Sequence, residues 1–286
     1  MSTLNGDSTK LFGILGYPIK HTFSPAMHNA AFKELGINAT YVPFPVSPDH
    51  LEMVLKTLPQ MGVCGVNITI PHKQTALTLM DTVSEEAKLI CAINTIVFKS
   101  NKMHGYNTDS AGFRKSLEES GFNPKEKKAL ILGAGGAARA VAIALAQADV
   151  KELYIYNRSR ERANILAQHI DHHFTYCSPH ILEEHQTRSK EDLGKMDLVV
   201  NATSLGLDPS DPIPISPIFF KSGTLFYDLI YHTQTNWLKV AKKSKMHTLN
   251  GLGMLVHQGA LSFELWTGKK APLELMQETL KKQLCN

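Results

Sequence analysis

Residues 128–138 read Lys128-Ala129-Leu130-Ile131-Leu132-Gly133-Ala134-Gly135-Gly136-Ala137-Ala138. The apolar run at the start predicts a short buried strand, and the alanine-rich end predicts a helix. The glycines between them follow the spacing G-x-G-G-x-A rather than the fuller G-x-G-x-x-G. Glycines at such a turn allow a tight bend and let a pyrophosphate approach the helix amides closely. The pattern therefore predicts a dinucleotide site formed by Gly133, Ala134, Gly135, Gly136 and Ala137.

The type of dinucleotide is indicated by the end of the next predicted strand, residues 152–156. An NAD-selective site would place Asp or Glu there, about 20 residues past the glycines, to bind the ribose hydroxyls. This chain has Asn157-Arg158 instead, with Arg160 and Arg162 on the following turn. Because arginine is always charged and binds phosphate in a forked geometry, we predict NADP as the cofactor. The alternative is a solvated helix start that carries three arginines.

Two further apolar runs follow in the second half of the chain, at residues 197–200 and 224–227. They predict strands that deliver the polar segments 201–204 and 228–231 at their ends. Between them lies a proline-rich surface loop. Upstream of both, the Ser178-Pro179 pair favours the start of a short helix.

The N-terminal third alternates strand-like runs with helical segments, which predicts a mostly parallel sheet flanked by helices. A helix is predicted to start at Ser24-Pro25, because serine can accept the unpaired helix amides and proline suits the first helical position. Thr22 and Ser24 thus present two hydroxyls at a helix N-terminus, which favours a carboxylate or phosphate. The alternative is that Ser24 only caps the helix and Thr22 only forms a turn.

Lys73 follows a strand, residues 65–70, that runs into Pro71. Proline stops the strand pairing and can start a helix, so the lysine amine is expected to point into the cleft at the sheet edge. We predict that Lys73 carries a proton; in isolation, a solvated first-turn lysine is the alternative. Asn94 and Asp109 lie near predicted strand ends, where they either form turns or face a ligand at the sheet edge.

The composition limits the class of protein. A chain of 286 residues suits two domains. The apolar fraction of 43% and charged fraction of 20% exclude disordered and fibrous classes. A net charge of +4 without a long Lys/Arg run gives no support for nucleic-acid binding.

The cellular setting is predicted from cysteines and hydropathy. Cys64, Cys91, Cys177 and Cys285 lack CxxC or metal-finger spacing, so we expect a reducing compartment and no bound metal. The N-terminus has no apolar signal core, and no 18-residue apolar run occurs. We therefore expect a cytoplasmic protein without a membrane span.

Together these motifs resemble the shikimate dehydrogenase family. The resemblance covers nearly the whole chain and rests on Gly16-Tyr17-Pro18-Ile19, His21-Thr22-Phe23-Ser24-Pro25 with His28-Asn29, Asn67 to Lys73, Ala92-Ile93-Asn94-Thr95, Gly105-Tyr106-Asn107-Thr108-Asp109, the glycine turn, Asn157-Arg158, Asn201-Ala202-Thr203-Ser204, and Gly253-Met254-Leu255 through Gln258.

The resemblance implies a two-domain α/β fold. Its parts are an N-terminal substrate domain with a mostly parallel sheet and a Rossmann-type NADP domain, with the C-terminal helices returning to the first. The expected boundaries are residues 1–109 plus 250–286 for the substrate domain and 110–249 for the NADP domain. The implied activity is the reversible, NADPH-dependent reduction of 3-dehydroshikimate to shikimate, a step toward chorismate and the aromatic amino acids.

The resemblance also implies the roles of individual residues. Lys73 and Asp109 form the catalytic pair. The substrate, a small molecule, is held by Thr22, Ser24, Thr69, Asn94, Tyr231 and Gln258. Besides the glycine turn, the cofactor is bound by Asn157, Arg158, Arg162, Thr203, Leu229 and Gly251. No nucleic acid or membrane partner is implied, and a homodimer is left open.

Two departures from the family pattern affect these expectations. Thr22 replaces the usual serine, and residues 231–236 lack the proline of the family's Tyr-x-Pro-x-x-Thr stretch. A quinate/shikimate dehydrogenase that prefers NAD remains the close alternative, since Thr22 leaves it open while the arginines argue against it. A non-catalytic binding protein is the alternative from another class, although binding alone requires no proton carrier.

Overall fold

The computed structural model describes residues 8–19 and 22–285 and divides the chain into two compact units. The first unit comprises the described residues up to Thr108 and from Gln258 onward, and the second comprises Asp109–His257. His21, which belongs to one family motif, lies outside the described residues, as do residues 1–7 of the N-terminus. Within the described ranges, no helix combines the length and apolar character needed to cross a bilayer.

The elements of the first unit alternate along the chain and are numbered here in chain order. Its strands are β1 (Lys10–Gly16), β2 (Ala39–Pro45), β3 (Val63–Ile68), β4 (Thr82–Val83), β5 (Thr95–Lys99) and β6 (Lys102–Tyr106). Its helices are α1 (Ser24–Glu34), α2 (Leu51–Thr57), α3 (Lys73–Leu77), α4 (Glu85–Ile90) and the C-terminal α11 (Leu273–Cys285), with short 3₁₀ turns at Pro48–His50 and Leu58–Met61.

The sheet of the first unit has the order β2-β1-β3-β5-β6-β4. Only β5 runs antiparallel to its neighbours, so the prediction of a mostly parallel sheet is confirmed. Because β5 is reversed, its first residue, Thr95, lies opposite Asn67 near the carboxyl end of β3. Asn94 therefore lies at the edge where parallel strands end and where open α/β sheets bind ligands. The C-terminal helix α11 packs on α1, as the predicted return of the chain requires.

The second unit contains the remaining elements. Its strands are β7 (Lys128–Leu132), β8 (Glu152–Tyr156), β9 (Ser178–Ile181), β10 (Leu198–Asn201), β11 (Leu225–Asp228) and β12 (His247–Asn250). Its helices are α5 (Asp109–Glu119), α6 (Gly136–Gln147), α7 (Arg160–His173), α8 (Lys190–Leu193) and α9 (Asn236–Lys243), with 3₁₀ turns at Glu184–Arg188 and Pro217–Phe219. Helix α10 (Leu252–Thr267) crosses the boundary between the units.

The second sheet is parallel throughout and has the order β9-β8-β7-β10-β11-β12. Numbered from β7, this is the strand order 3-2-1-4-5-6 of the Rossmann fold. Helix α6 packs closely on the sheet because the residues from Ala138 to Ala146 are all buried and most of them are small. The predicted Rossmann-type unit is thus confirmed.

The two units divide the chain at places that differ from the expected domain boundaries. Residues 250–257 group with the second unit because β12 pairs with β11 and Gly251 N donates to Ile230 O at 3.2 Å. Asp109 also groups with the second unit, since it begins α5, which packs on α6. Which unit binds substrate and which binds coenzyme stays a prediction at this point.

The helix start favoured at Ser178-Pro179 was wrong, although the segment up to Lys190 contains a short 3₁₀ helix at Glu184–Arg188. Residues Ser178–Ile181 form β9, which pairs with β8 at the edge of the sheet. Proline lacks an amide donor, and an edge strand tolerates that loss because one of its sides has no strand to pair with.

His28 is a buried, unpaired imidazole in the core of the first unit. Its ring stacks on Tyr41 with centroids 4.4 Å apart and lies 5.3 Å from the ring of Trp266. Among the described residues, neither ring nitrogen has a hydrogen-bond partner. Burial without a partner lowers the pKa of His28 to about 3, so the folded protein holds the neutral form.

We predict that His28 makes the folded state sensitive to acid. The unfolded chain protonates this histidine below about pH 6.5, whereas the folded chain does not, so stability present at neutral pH is lost as pH falls from about 6.5 toward 3. The loss reaches at most ~1.4 kcal/mol per pH unit for this one group. Replacing His28 with leucine should therefore flatten the decline in unfolding free energy between about pH 7 and pH 5, measured by urea denaturation.

The exposed His50, replaced with alanine, is the matched control, because this change removes a histidine from the surface rather than from the core. Equal slopes for the native chain and the His28→Leu variant would show that His28 does not govern the acid sensitivity.

Candidate functional site

The hydroxyls of Thr22 and Ser24 lie at the start of α1, as predicted. Ser24 is buried, and its amide donates to Thr22 Oγ1 at 3.3 Å. The expectation that Ser24 caps the helix was wrong. Helix α1 begins at Ser24, so the N-cap residue is Phe23, whose side chain makes no capping bond. Thr22 and Ser24 thus both lie at the N-terminus of α1, with the Thr22 hydroxyl beside the Ser24 amide, and the anion site stays a prediction.

Lys73 is the first residue of α3 and is half-buried. The segment that leads to it is anchored to the sheet, because Thr69 N donates to Leu15 O at 2.9 Å. The Ile70–Pro71 peptide within the segment is cis. The Lys73 carbonyl accepts from Ile93 N at 2.9 Å, which ties the start of α3 to the residue before Asn94.

Asn94 and Gln258, two of the predicted substrate residues, are brought together although they are far apart in sequence. Asn94 Nδ2 donates to Gln258 Oε1 at 3.1 Å and to Thr108 Oγ1 at 2.8 Å. Asn94 Oδ1 accepts from the amide of Thr108 at 2.8 Å. Asn94 is 2% exposed, so its amide is fixed by these partners rather than by water.

A second layer of polar side chains lies behind this pair. Asn67 Nδ2 is within hydrogen-bond distance of Ser262 Oγ (3.0 Å) and Thr95 Oγ1 (3.1 Å), and Asn67 Oδ1 accepts from Tyr41 Oη at 2.7 Å. Ser262 Oγ lies 2.7 Å from Thr95 Oγ1 and donates to the carbonyl of Gln258 at 3.0 Å. The layer therefore holds one turn of α10 against the sheet edge that carries Asn94.

Sequence reasoning missed this second layer. Ser262 lies in an otherwise apolar helical run, and Thr95 is a common strand residue. The one available signal was the spacing of four between Gln258 and Ser262, which places both on the same helix face.

The predicted glycine turn of the second unit joins β7 to α6. Gly133 has φ +114°, and a Cβ at this position would lie 3.1 Å from Ala202 O, so a larger residue would be strained and crowded. Gly135 is the N-cap of α6, and a Cβ there would meet nothing within 4 Å. Ala134 is buried behind the turn, while Gly136 and Ala137 begin the helix. Open space beside Gly135, at a helix N-terminus, fits the approach of a pyrophosphate.

The basic cluster after β8 separates into paired and unpaired cations. Arg160 Nη2 forms an ion pair with Glu183 Oε1 at 2.7 Å. Arg158 and Arg162 are exposed, and the described part of the chain offers neither of them an ion pair. Asn157, the last residue before this turn, donates to Ser159 O at 2.8 Å. Two cations and no carboxylate at the strand end fit a 2′-phosphate.

The carboxyl ends of β10 and β11 are joined by a buried pair, Asn201 and Asp228. Asn201 Nδ2 donates to Asp228 Oδ1 at 3.0 Å, and Asn201 Oδ1 accepts from Thr203 Oγ1 at 2.7 Å. Asp228 also accepts from Thr235 Oγ1 at 2.7 Å and from Ile230 N at 3.2 Å. Burial raises the pKa of the Asp228 carboxyl to about 6, and these donors offset part of that effect.

Three predicted cofactor residues surround this pair. Thr203 bonds to Asn201 directly, Leu229 N donates to Asn201 O at 3.0 Å, and Gly251 packs on the backbone of Leu229. From the sequence, Asn201 entered only as part of a family motif and Asp228 only as part of a polar strand-end segment, so neither was predicted as a site residue.

Tyr231 is half-buried and follows this segment. The missing proline left the backbone after Tyr231 undetermined by sequence. The structure supplies another anchor, since Thr235 donates to Asp228 and its Oγ1 accepts from Leu238 N as the N-cap of α9.

Lys73 belongs to the first unit, whereas Asp109 and Tyr231 belong to the second. Asp109 is 3% exposed and is the first residue of α5. The pairing of Lys73 with Asp109, and the contact of Tyr231 with substrate, stay predictions. No set of three or more His, Cys, Asp or Glu side chains in the described ranges is arranged to hold a metal ion.

Comparison with known proteins places these features in one family. Residues 14–96 match the family model described as the shikimate dehydrogenase substrate binding domain, residues 116–206 the shikimate/quinate 5-dehydrogenase model, and residues 251–281 the shikimate 5′-dehydrogenase C-terminal domain.

Individual relatives match over nearly their full length. The shikimate dehydrogenase (NADP(+)) of Desulforamulus reducens is 44% identical over 98% of this chain and 97% of its own. The crystal structure of shikimate 5-dehydrogenase from Thermus thermophilus in complex with NADP(H) and shikimate is 36% identical with a TM-score of 0.84, covering 96% of this chain and 99% of that one. Quinate dehydrogenase from Corynebacterium glutamicum in complex with NAD is 30% identical with a TM-score of 0.84 over 96% and 99% of the two chains. With these matches, the chain belongs to the shikimate dehydrogenase family.

Proposed function

We propose that this protein is an NADP-dependent shikimate dehydrogenase, which interconverts 3-dehydroshikimate and shikimate. The observation that carries the proposal is the 44% identity to the NADP-dependent Desulforamulus reducens enzyme over 98% of the chain. The test is the change in nicotinamide absorbance with shikimate or quinate and with NADP or NAD. Turnover of shikimate with NADP supports the proposal, and no turnover with any of the four combinations refutes it.

The substrate is a ring carboxylate with several hydroxyls, and the residues of the first unit suit both groups. Thr22 and Ser24 offer hydroxyls at the N-terminus of α1, where the dipole favours the carboxylate. The amides of Asn94 and Gln258, 3.1 Å apart, suit neighbouring ring hydroxyls, with Thr69 and Tyr231 completing the site. A site built to pair hydroxyls rejects analogues that lack them.

Proton transfer is assigned to Lys73, with Asp109 as its partner. NADPH, when bound, supplies the hydride that reduces the ketone carbon. Lys73 then gives a proton to the developing alkoxide and takes one back in the oxidation direction. Asp109 orients the ammonium. Two hydrogen bonds support this pairing. Asn94 Oδ1 accepts from the amide of Thr108, the residue before Asp109, and the amide of Ile93, the residue before Asn94, donates to the Lys73 carbonyl.

The coenzyme is assigned to the second unit. The glycine turn, Gly133 to Ala137, would hold the pyrophosphate, and Asn157, Arg158 and Arg162 would hold the 2′-phosphate. Thr203, Leu229 and Gly251, at the carboxyl edge of the sheet, would lie beside the nicotinamide end.

The second candidate function is a quinate dehydrogenase that uses NAD. The similarity to the Corynebacterium glutamicum quinate dehydrogenase supports it, and Thr22, where the family usually has serine, leaves it open. The cations at Arg158 and Arg162 argue against it. A higher kcat/KM for quinate with NAD than for shikimate with NADP would establish it.

Lys73→Ala should lower kcat by about 10²-fold or more while substrate affinity stays within about tenfold, because a general acid-base group acts mainly on the chemical step. Steady-state kinetics with shikimate and NADP measure the first effect, and substrate binding the second. The control is Lys88→Ala, which removes an exposed lysine from α4. Near-normal turnover of the Lys73→Ala variant would refute the assigned role.

Arg158→Ala should raise KM for NADP by about tenfold or more and leave KM for NAD nearly unchanged, because only NADP carries the phosphate that the guanidinium binds. Arg160→Ala is the matched control, since Arg160 lies two residues away and is paired with Glu183. Its effect on either KM should stay within about threefold. If Arg158→Ala raised both KM values equally, the arginine would not recognise the phosphate.

A further inference from the structure

We propose that Asp228, acting through Asn201, is a positioning residue for the nicotinamide half of the coenzyme. The inference rests on the proposed function and extends it to two residues that have not been assigned to the coenzyme so far. Asn201 and Asp228 are register partners at the carboxyl ends of β10 and β11. This is the edge at which parallel α/β sheets bind their ligands.

Asn201 fixes the segment after β10. Its Nδ2 donates to Leu205 O at 3.0 Å as well as to Asp228, and its Oδ1 accepts from Thr203 N at 3.1 Å as well as from Thr203 Oγ1. Each polar atom of this fully buried amide therefore holds either residues 203–205 or Asp228. The loop that carries Thr203 cannot shift without breaking its three hydrogen bonds to the Asn201 amide, and a buried polar side chain that loses its partners is unfavourable.

Asp228 fixes the segment after β11. The side chain is 0% exposed and accepts from Ile230 N and from Thr235 Oγ1 in addition to Asn201. A buried carboxylate is costly unless several donors surround it, so an apolar residue would stabilise the core at less cost. The carboxylate does what an apolar residue cannot, because it joins the end of β10 at Asn201, the segment after β11 at Ile230 and the start of α9 at Thr235.

The segments that this pair joins are those assigned to the nicotinamide end. Gly251 N donates to the carbonyl of Ile230, and Gly133 of the glycine turn packs against Ala202 and Thr203. In contrast, Arg158 and Arg162 follow β8, on the other side of β7 in the sheet order. Loss of the pair should therefore weaken NADP and NAD alike.

The test is direct binding of NADP and of NAD to the full chain carrying Asp228→Asn, with kinetics for shikimate in parallel. An amide whose oxygen stays toward Asn201 and Ile230 N would turn its N–H groups to Thr235 Oγ1, so the Thr235 hydroxyl loses its charged acceptor and must accept instead of donating. We expect both coenzyme Kd values to rise by about tenfold with their ratio unchanged, and KM for shikimate at saturating coenzyme to stay within about twofold.

The matched control is Thr224→Val. Thr224 directly precedes the opposite end of β11, is 0% exposed, and donates to Met196 O at 2.9 Å. Both variants should lower the Tm, but Thr224→Val should change neither coenzyme Kd by more than about twofold. If Asp228→Asn lowers the Tm and leaves both Kd values at the native level, Asp228 is only structural and the inference fails.

A milder variant, Thr235→Val, removes one donor to Asp228. It replaces Asp228→Asn in the binding measurements if that variant does not fold. It should raise both Kd values by about threefold, and unchanged values would overturn the inference. Native protein that binds neither coenzyme would overturn the proposed function and the inference together. Native binding with unaffected variants would overturn the inference alone.

Discussion

The buried amide of Asn94 is the interaction on which the first unit's candidate site depends. It joins Thr108 at the end of one segment to Gln258 on α10, and its own backbone amide donates to Tyr106 O at 3.0 Å. An unmade hydrogen bond at such a buried site costs about 1–3 kcal/mol, so the arrangement is strongly selected over alternatives in which Asn94 is unpaired. The reversal of β5 makes it possible, because the reversed strand brings its first residues to the edge where β3 ends.

In the second unit, the buried polar side chains at the site lie on a sheet that is parallel throughout. Here the strands that carry site residues all end at one edge, and the polar residue at each end must find partners among its neighbours. Asn201 and Asp228 do this for β10 and β11, and after β7 the backbone amide of Gly133 donates to Tyr156 O at 2.8 Å. The rigid part of each unit is therefore the layer behind the residues assigned to ligands. The residues assigned to ligands carry hydroxyl, amide and guanidinium groups.

Much of this was predictable from sequence, and the failures have identifiable causes. The strand, glycine turn and alanine-rich helix at residues 128–147 were read correctly because local pattern and tertiary packing agree there. Ser178-Pro179 was read as a helix start because the two residues alone fit one, whereas an edge position in the sheet decided the outcome. Ser262, Asn201 and Asp228 were not identified, since their roles come from partners 195, 27 and 27 residues away that no local pattern shows. Without the family's proline, the sequence did not predict the backbone conformation after Tyr231. In the structure, the hydrogen bond from Thr235 to Asp228 anchors this segment.

The basic cluster after β8 shows why counting charges in a sequence overstates an anion site. Three arginines follow the strand, but one of them is already paired with Glu183, and the adjacent Glu184 accepts from Tyr156. The ion pair is exposed and contributes little to stability, about 0–1 kcal/mol by the usual measure. The pair holds the Arg160 guanidinium toward the Glu183 carboxylate. In the proposed coenzyme site a phosphate would meet the charges of Arg158 and Arg162, and selectivity between coenzymes would depend on which cations lack a local carboxylate rather than on how many are present.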